Sequence, residues 1–188
     1  SHVQVRLGMS TDTFLPTENP TIPTIASSFT DSESLMFGTD MEVIINHLGL
    51  GFTGGFNFPP PALSEDSGAV AWSGSLYAKH HFFHTGSFLD PFFGFGFGSA
   101  GRVDWQEETL YGKDNWGDYT YPYQYSETVS LALYPYASAG LGIDLGSLVL
   151  TGALQYHPVS IPVPELEPYN LTTFSASLAV SVGFGGRR

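Results

Sequence analysis

Phe174-Ser175-Ala176-Ser177-Leu178-Ala179-Val180-Ser181-Val182-Gly183-Phe184 is the stretch that decides the fold. Phe174, Ala176, Leu178, Val180, Val182 and Phe184 fall on one face, and Ser175, Ser177, Ala179, Ser181 and Gly183 on the other. Period two is the signature of a strand, because successive Cβ atoms point to opposite faces. The second face is unusual. A sandwich strand turns Lys, Glu and Arg to water, whereas here that face is small and almost uncharged.

Working backwards, the same alternation recurs seven times. Strand one sets Val3, Val5, Leu7 and Met9 against Gln4, Arg6, Gly8 and Ser10. Strand two sets Phe37, Thr39, Met41, Val43 and Ile45 against Gly38, Asp40, Glu42 and Asn46, with Ile44 breaking the pattern. Strand three sets Leu50, Phe52, Phe56 and Phe58 against Gly51, Thr53, Gly55 and Asn57. Strand four sets Val70, Trp72, Leu76 and Ala78 against Ser73, Ser75, Tyr77 and Lys79. Strand five alternates Phe93, Phe95 and Phe97 with Gly94, Gly96 and Gly98. Strand six sets Val129, Leu131, Leu133, Ala137 and Ala139 against Ser130, Tyr134, Tyr136 and Ser138. Strand seven sets Leu148, Leu150, Leu154 and Tyr156 against Thr151, Gln155 and His157. Turns expected at 47–49, 84–87 and 145–147 are short. The loops expected at 15–34, 59–68, 104–127 and 158–171 are long and polar.

Within these strands Arg6, Asp40, Glu42 and Lys79 all share the small-polar face. A soluble barrel would reverse this, with charges outside. A charge facing lipid near the midplane costs about 2–4 kcal/mol for Arg or Lys, so charge-free apolar faces point to hydrocarbon outside. No segment reaches the about 18 apolar residues of a transmembrane helix, and charged residues are 13% of the chain, half of the ~25% usual in soluble domains. The reading is all-β: a single domain over 1–188 forming an eight-stranded antiparallel transmembrane β-barrel, with short periplasmic turns and long extracellular loops. Backbone groups in hydrocarbon must pair internally, so strands one and eight are expected to close the barrel.

The layout resembles the small outer-membrane barrels of the outer membrane protein A, X and W families. The stretch from Phe174 to Phe184 is similar to their C-terminal assembly signal, from which the added Gly185-Gly186-Arg187-Arg188 departs. Val5-Arg6-Leu7-Gly8, with Pro16 beyond, resembles the start of the outer membrane protein W family. That resemblance implies a bacterial outer-membrane location, contact with the lipid bilayer and lipopolysaccharide (or detergent), and a monomer. The W-like opening also implies a conduit for small solutes, apolar ones included. No export signal opens the chain, as expected if one has been removed, and Ser1-His2 reads as a cloning remnant.

Inside the barrel, Arg6, Asp40, Glu42, Lys79 and His81 are expected at similar depth near the turn end. They read either as a polar gate or as a satisfied ion-pair network, and the narrow interior of eight strands favours the network. Arg6 is expected to meet Glu42, and Lys79 to meet Asp40. Gly94, Gly96 and Gly98 leave room for bulky inward residues, Tyr77, Tyr134 and Tyr136 among them. Trp105, Trp116, Tyr119, Tyr121, Tyr123 and Tyr125 read as an aromatic girdle or as a loop surface for an extracellular ligand or host partner.

Other chemistry is excluded or disfavoured. A net charge of −12 argues against nucleic acid. The absence of cysteine removes disulfides and thiolate sites. Asp114 and Asp118 flank a glycine-containing loop that would suit calcium in principle, but solvated charge is the preferred reading, and no metal or cofactor is expected. Lipid A deacylases resemble this layout and use a His–Ser pair; His157-Pro158-Val159-Ser160 lacks their spacing, so no enzyme is expected.

Overall fold

A computed structural model describes residues 3–16, 19–31, 35–57, 67–83, 87–108, 111–114, 117–120, 124–169 and 171–185. Eight antiparallel strands close into one barrel. They are β1 (Val3–Phe14), β2 (Leu35–Ile45), β3 (Leu48–Asn57), β4 (Ser67–His81), β5 (Leu89–Glu108), β6 (Gln124–Asp144), β7 (Leu148–Tyr156) and β8 (Phe174–Phe184). Each strand pairs with its neighbour in sequence. The ring shuts where β1 meets β8, with Val5 opposite Phe184 and Phe14 opposite Ser175. Closure removes the unpaired edge that an open sheet would present.

The outer surface is apolar along every strand. Leu7, Met9, Phe37, Leu50, Phe52, Phe56, Leu76, Phe93, Phe95, Phe97, Leu150, Leu178 and Val180 are all exposed. Met9 is 73% and Leu76 70% exposed, and large apolar side chains exposed on strand after strand are not what a soluble monomer presents. Among the described residues no helix is long and apolar enough to cross a membrane, which leaves crossing by strands untouched. Parity also explains Ile44, the exception in strand two. It faces inward with 0% exposure and, with the equally buried Val149, packs the interior near the short turns.

Several boundaries differ from the sequence reading. The turn expected at 47–49 is Asn46–His47, and Asn46 takes the left-handed conformation (φ 58°) that Asn tolerates better than most residues. The loop expected at 104–127 is largely strand. β5 and β6 stay paired out to Glu108 and Gln124, and a small hairpin, Tyr111–Asp114 with Gly117–Thr120, stands above them. Polar residues masked this extension because above a membrane both faces of a hairpin meet water. The loop at 15–34 carries a short helix, Ile22–Ser28, capped by Thr21 with Pro23 in its first turn.

The wall has one irregularity. β6 pairs with β7 from Asp144↔Val149 to Ala137↔Tyr156, and its ladder resumes at Leu133↔Ile161. Three β6 residues, 134–136, therefore oppose four, 157–160. Asp144 donates its amide to the Phe88 carbonyl at 2.9 Å, and the β5–β6 register is unbroken. Even-numbered β6 residues thus aim their amides at β5 and odd-numbered ones at β7. Pro135, which has no N–H, sits where β7 has stopped pairing, so no amide donor is stranded there.

Candidate functional site in the barrel lumen

Near the short-turn end a layer of charged side chains crosses the interior. Arg6 and Glu42 are directly opposed on β1 and β2, and their charged groups are 4.0 Å apart. Arg6 makes its shorter contact with Asp90 of β5, Nη2 to Oδ2 at 2.9 Å. His81 at the end of β4 stands between the two acids. Its Nε2 is 3.0 Å from Glu42 Oε1, and its Nδ1 is 2.9 Å from Asp90 Oδ2. Ionised carboxylates only accept, so a doubly protonated ring satisfies both contacts at once. Lys79 Nζ lies 3.6 Å from Glu42 Oε2 and 4.0 Å from the Tyr77 ring centroid. Glu42, Arg6 and His81 are each 3% exposed or less.

The expected pairing of Lys79 with Asp40 is replaced by Lys79 with Glu42. Asp40 instead accepts from the Tyr77 hydroxyl at 2.8 Å. Glycine makes the layer this tight: a methyl group on Gly49 would collide with Glu42 Oε1 and approach His81 Nε2 to 2.8 Å. Tyr136 and Tyr134 lie across Gly96 and Gly98, which they oppose in register. Tyr136 also shares a 3.0 Å hydrogen bond with Ser75. Above the charged layer the lumen holds cavities of about 30 and 10 Å³, sizes suited to a few water molecules.

Toward the loop end, aromatic rings pack inside the barrel. Phe14, Tyr134, Tyr136 and His157 pack with Tyr134 and His157 centroids 4.7 Å apart, and Tyr169 and Leu171 fold in against them. His157 Nδ1 is 3.1 Å from the Thr172 carbonyl, and Nε2 is 3.1 Å from Ser175 Oγ, which also lies 3.1 Å from Gln155 Oε1. The sequence reading considered Ser160 as the partner of His157 and missed Ser175. The pair has the distance of a nucleophile and base, but both residues are about 95% buried, and the cavity beside Ser175 is about 10 Å³, the size of one water molecule.

Burial holds the His157 ring below its ordinary pKa, opposed only by the Thr172 carbonyl. The unfolded chain takes up a proton near pH 6.5 while the folded ring resists it. This stabilisation is therefore present above that pH and is lost as pH falls through the depressed value. The thermal midpoint in detergent is expected to fall between pH 8 and pH 5 by more in the wild type than in His157→Gln. Equal losses would show that the ring is not the sensitive group.

The other expected site residues fall differently. Trp105 is half-buried and lies across Gly68 of β4, where a methyl would strike its ring. Trp116, Tyr121 and Tyr123 lie outside the described residues, as do the side chains of Tyr119, Tyr125, Asp114 and Asp118. Among the described residues no group of three or more His, Asp or Glu is placed to hold a metal ion.

Comparison with solved structures places this geometry. The N-terminal β-barrel domain of Pseudomonas aeruginosa OprF superposes with a TM-score of 0.54 at 13% identity, covering 96% of this chain and 97% of that one. The two chains share a fold. The attachment invasion locus protein Ail of Yersinia pestis, solved with the heparin analogue sucrose octasulfate, matches with a TM-score of 0.49 at 10% identity, over 97% of this chain and 98% of that one. Neisserial surface protein A matches with a TM-score of 0.42 at 13% identity, over 98% and 96%. No family model and no curated protein matches the sequence.

Proposed function

We propose that this chain is an integral barrel of the bacterial outer membrane with a plugged lumen, serving a structural or surface-interaction role through its acidic, aromatic extracellular loops. The observation that carries this reading is the layer joining Arg6, Glu42, Lys79, His81 and Asp90 across the interior. Eight strands leave an interior only wide enough for side chains, and charged groups held by several partners each do not part cheaply. The apolar exterior supports the membrane location. A barrel that conducts nothing offers its loops as a working surface; Asp31, Glu165 and Glu167 are exposed there.

The test is topology in whole cells. The protein should sediment with the outer membrane and migrate differently on a gel when boiled. Protease added to intact cells should cut within 104–127 first. A monomer soluble without detergent, or cutting there only after lysis, would reject the reading.

A conduit for small apolar solutes is the second reading, favoured by the break in the β6–β7 ladder at Pro135. The Tyr134, Tyr136 and His157 rings stand directly inside that break. On this reading Tyr134→Ala would speed uptake of an apolar dye into liposomes, whereas a structural barrel would show no change.

A further inference from the structure

We propose that the luminal cavity between the charged layer and the aromatic cap binds one alkali-metal cation. The cavity, about 30 Å³, has the oxygen-bearing residues Asp12, Asp40, Ser10, Thr53 and Thr151 among its lining residues, together with Lys79. Hard monovalent cations are held by such oxygens in preference to nitrogen or sulfur, as other hard ions are. The volume suits a small ion with about one water molecule.

Two independent observations point to an occupant. One is charge. Around the cavity and its floor the inward acids are Asp12, Asp40, Glu42 and Asp90, and the inward bases are Arg6, Lys79 and His81. With His81 doubly protonated between its two carboxylates, four negative charges face three positive ones. Lys79, which also lines the cavity, is shared among these acids, its ammonium lying 3.6 Å from Glu42 and over the Tyr77 and Phe92 rings. The surplus is one carboxylate charge inside the barrel, with Asp12 itself half-buried, where an uncompensated charge is costlier than in bulk water.

The other observation is Ser10. Its residue is 6% exposed, it lines this cavity, and its hydroxyl has no hydrogen-bond partner among the described residues. A buried hydroxyl without a partner is rare in native interiors. Its two lone pairs, two residues along the same strand face from Asp12, are free to accept a cation. Tyr77 occupies one Asp40 oxygen and leaves the other for the ion.

This inference goes beyond the structural role and holds whether or not solutes cross the barrel. The full chain, refolded into detergent, is dialysed to equilibrium against radiolabelled sodium and against radiolabelled rubidium, with choline chloride holding ionic strength constant. One ion per chain is expected to bind, displaced by unlabelled sodium or potassium and not by choline. At 100-fold excess over the dissociation constant the thermal midpoint should rise by about 5–10 °C. Asp12→Asn should abolish both effects. Ser10→Val, which leaves every charge in place, should weaken binding at least tenfold and serves as the readout if Asp12→Asn does not fold. No alkali ion bound, or equal binding by a folded Asp12→Asn, overturns the proposal. A midpoint that rises in choline alone as pH falls, in step with Asp12→Asn, would also overturn it by showing that a proton neutralises the surplus carboxylate.

Discussion

Leu76→Arg is expected to destabilise the folded barrel by about 2–4 kcal/mol and to block most refolding into lipid, although the residue touches almost nothing inside the protein. Leu76 is 70% exposed in the middle of β4. Its neighbours across the two ladders, Phe52 and Phe97, are exposed as well. In a soluble protein an exposed Leu→Arg change is worth at most about 0.5 kcal/mol in either direction. On a barrel in lipid, a midplane Arg costs several times that amount. Val159→Arg is the control. Val159 is comparably exposed, at 51%, but lies outside the eight strands at the loop end, where the guanidinium reaches water. Urea titration of both variants in lipid vesicles decides the matter. Equal tolerance would mean that the apolar belt faces something other than hydrocarbon.

That belt was legible in the sequence because alternation is a local property. A residue's face depends on its parity within its own strand, and parity survives an error in where the strand ends. The charged layer was legible only as a set of residues. Arg6, Asp40, Glu42, Lys79 and His81 could be placed on the inner face, but their partners depend on register and on which strands lie opposite across the barrel. Asp90 was missed because it precedes Pro91 beside a turn, and strand five was read as starting at Phe93. Counting back from Gly94 by twos would have reached it. Asp12 was missed for the same reason. Thr11-Asp12-Thr13 resembles the beginning of a loop, yet Asp12 keeps the parity of Gln4, Arg6 and Ser10. The contact of His157 with Ser175 could not be read at all. It spans 18 residues and arises because Gln155 opposes Ser175 in the β7–β8 register, which puts His157 one step beyond on the same face.

Glu42 is the residue on which the charged layer depends, because it faces three cationic groups. Arg6, Lys79 and His81 approach it at 4.0, 3.6 and 3.0 Å. In Glu42→Ala, Asp90 alone remains to balance them in the layer, and Asp90 touches only Arg6 and His81. Removing one member of a buried ionic network leaves uncompensated charge and costs about 3–5 kcal/mol. Lys79 and His81 should then turn toward Asp40 or toward water, loosening the charged layer. Planar-bilayer recordings are expected to show little steady conductance in the wild type and frequent openings in Glu42→Ala. Glu42→Gln separates charge from volume in the layer. It keeps the volume and can still bond to the His81 ring, but it removes the charge. If charge pairing holds the layer together, Glu42→Gln should lose stability nearly as Glu42→Ala does while conducting much less, because the side chain still fills the space above Gly49. Large, regular channels in the wild type that neither substitution alters would mean that the layer obstructs nothing, and the preferred role would pass from a surface-interaction barrel to a diffusion pore.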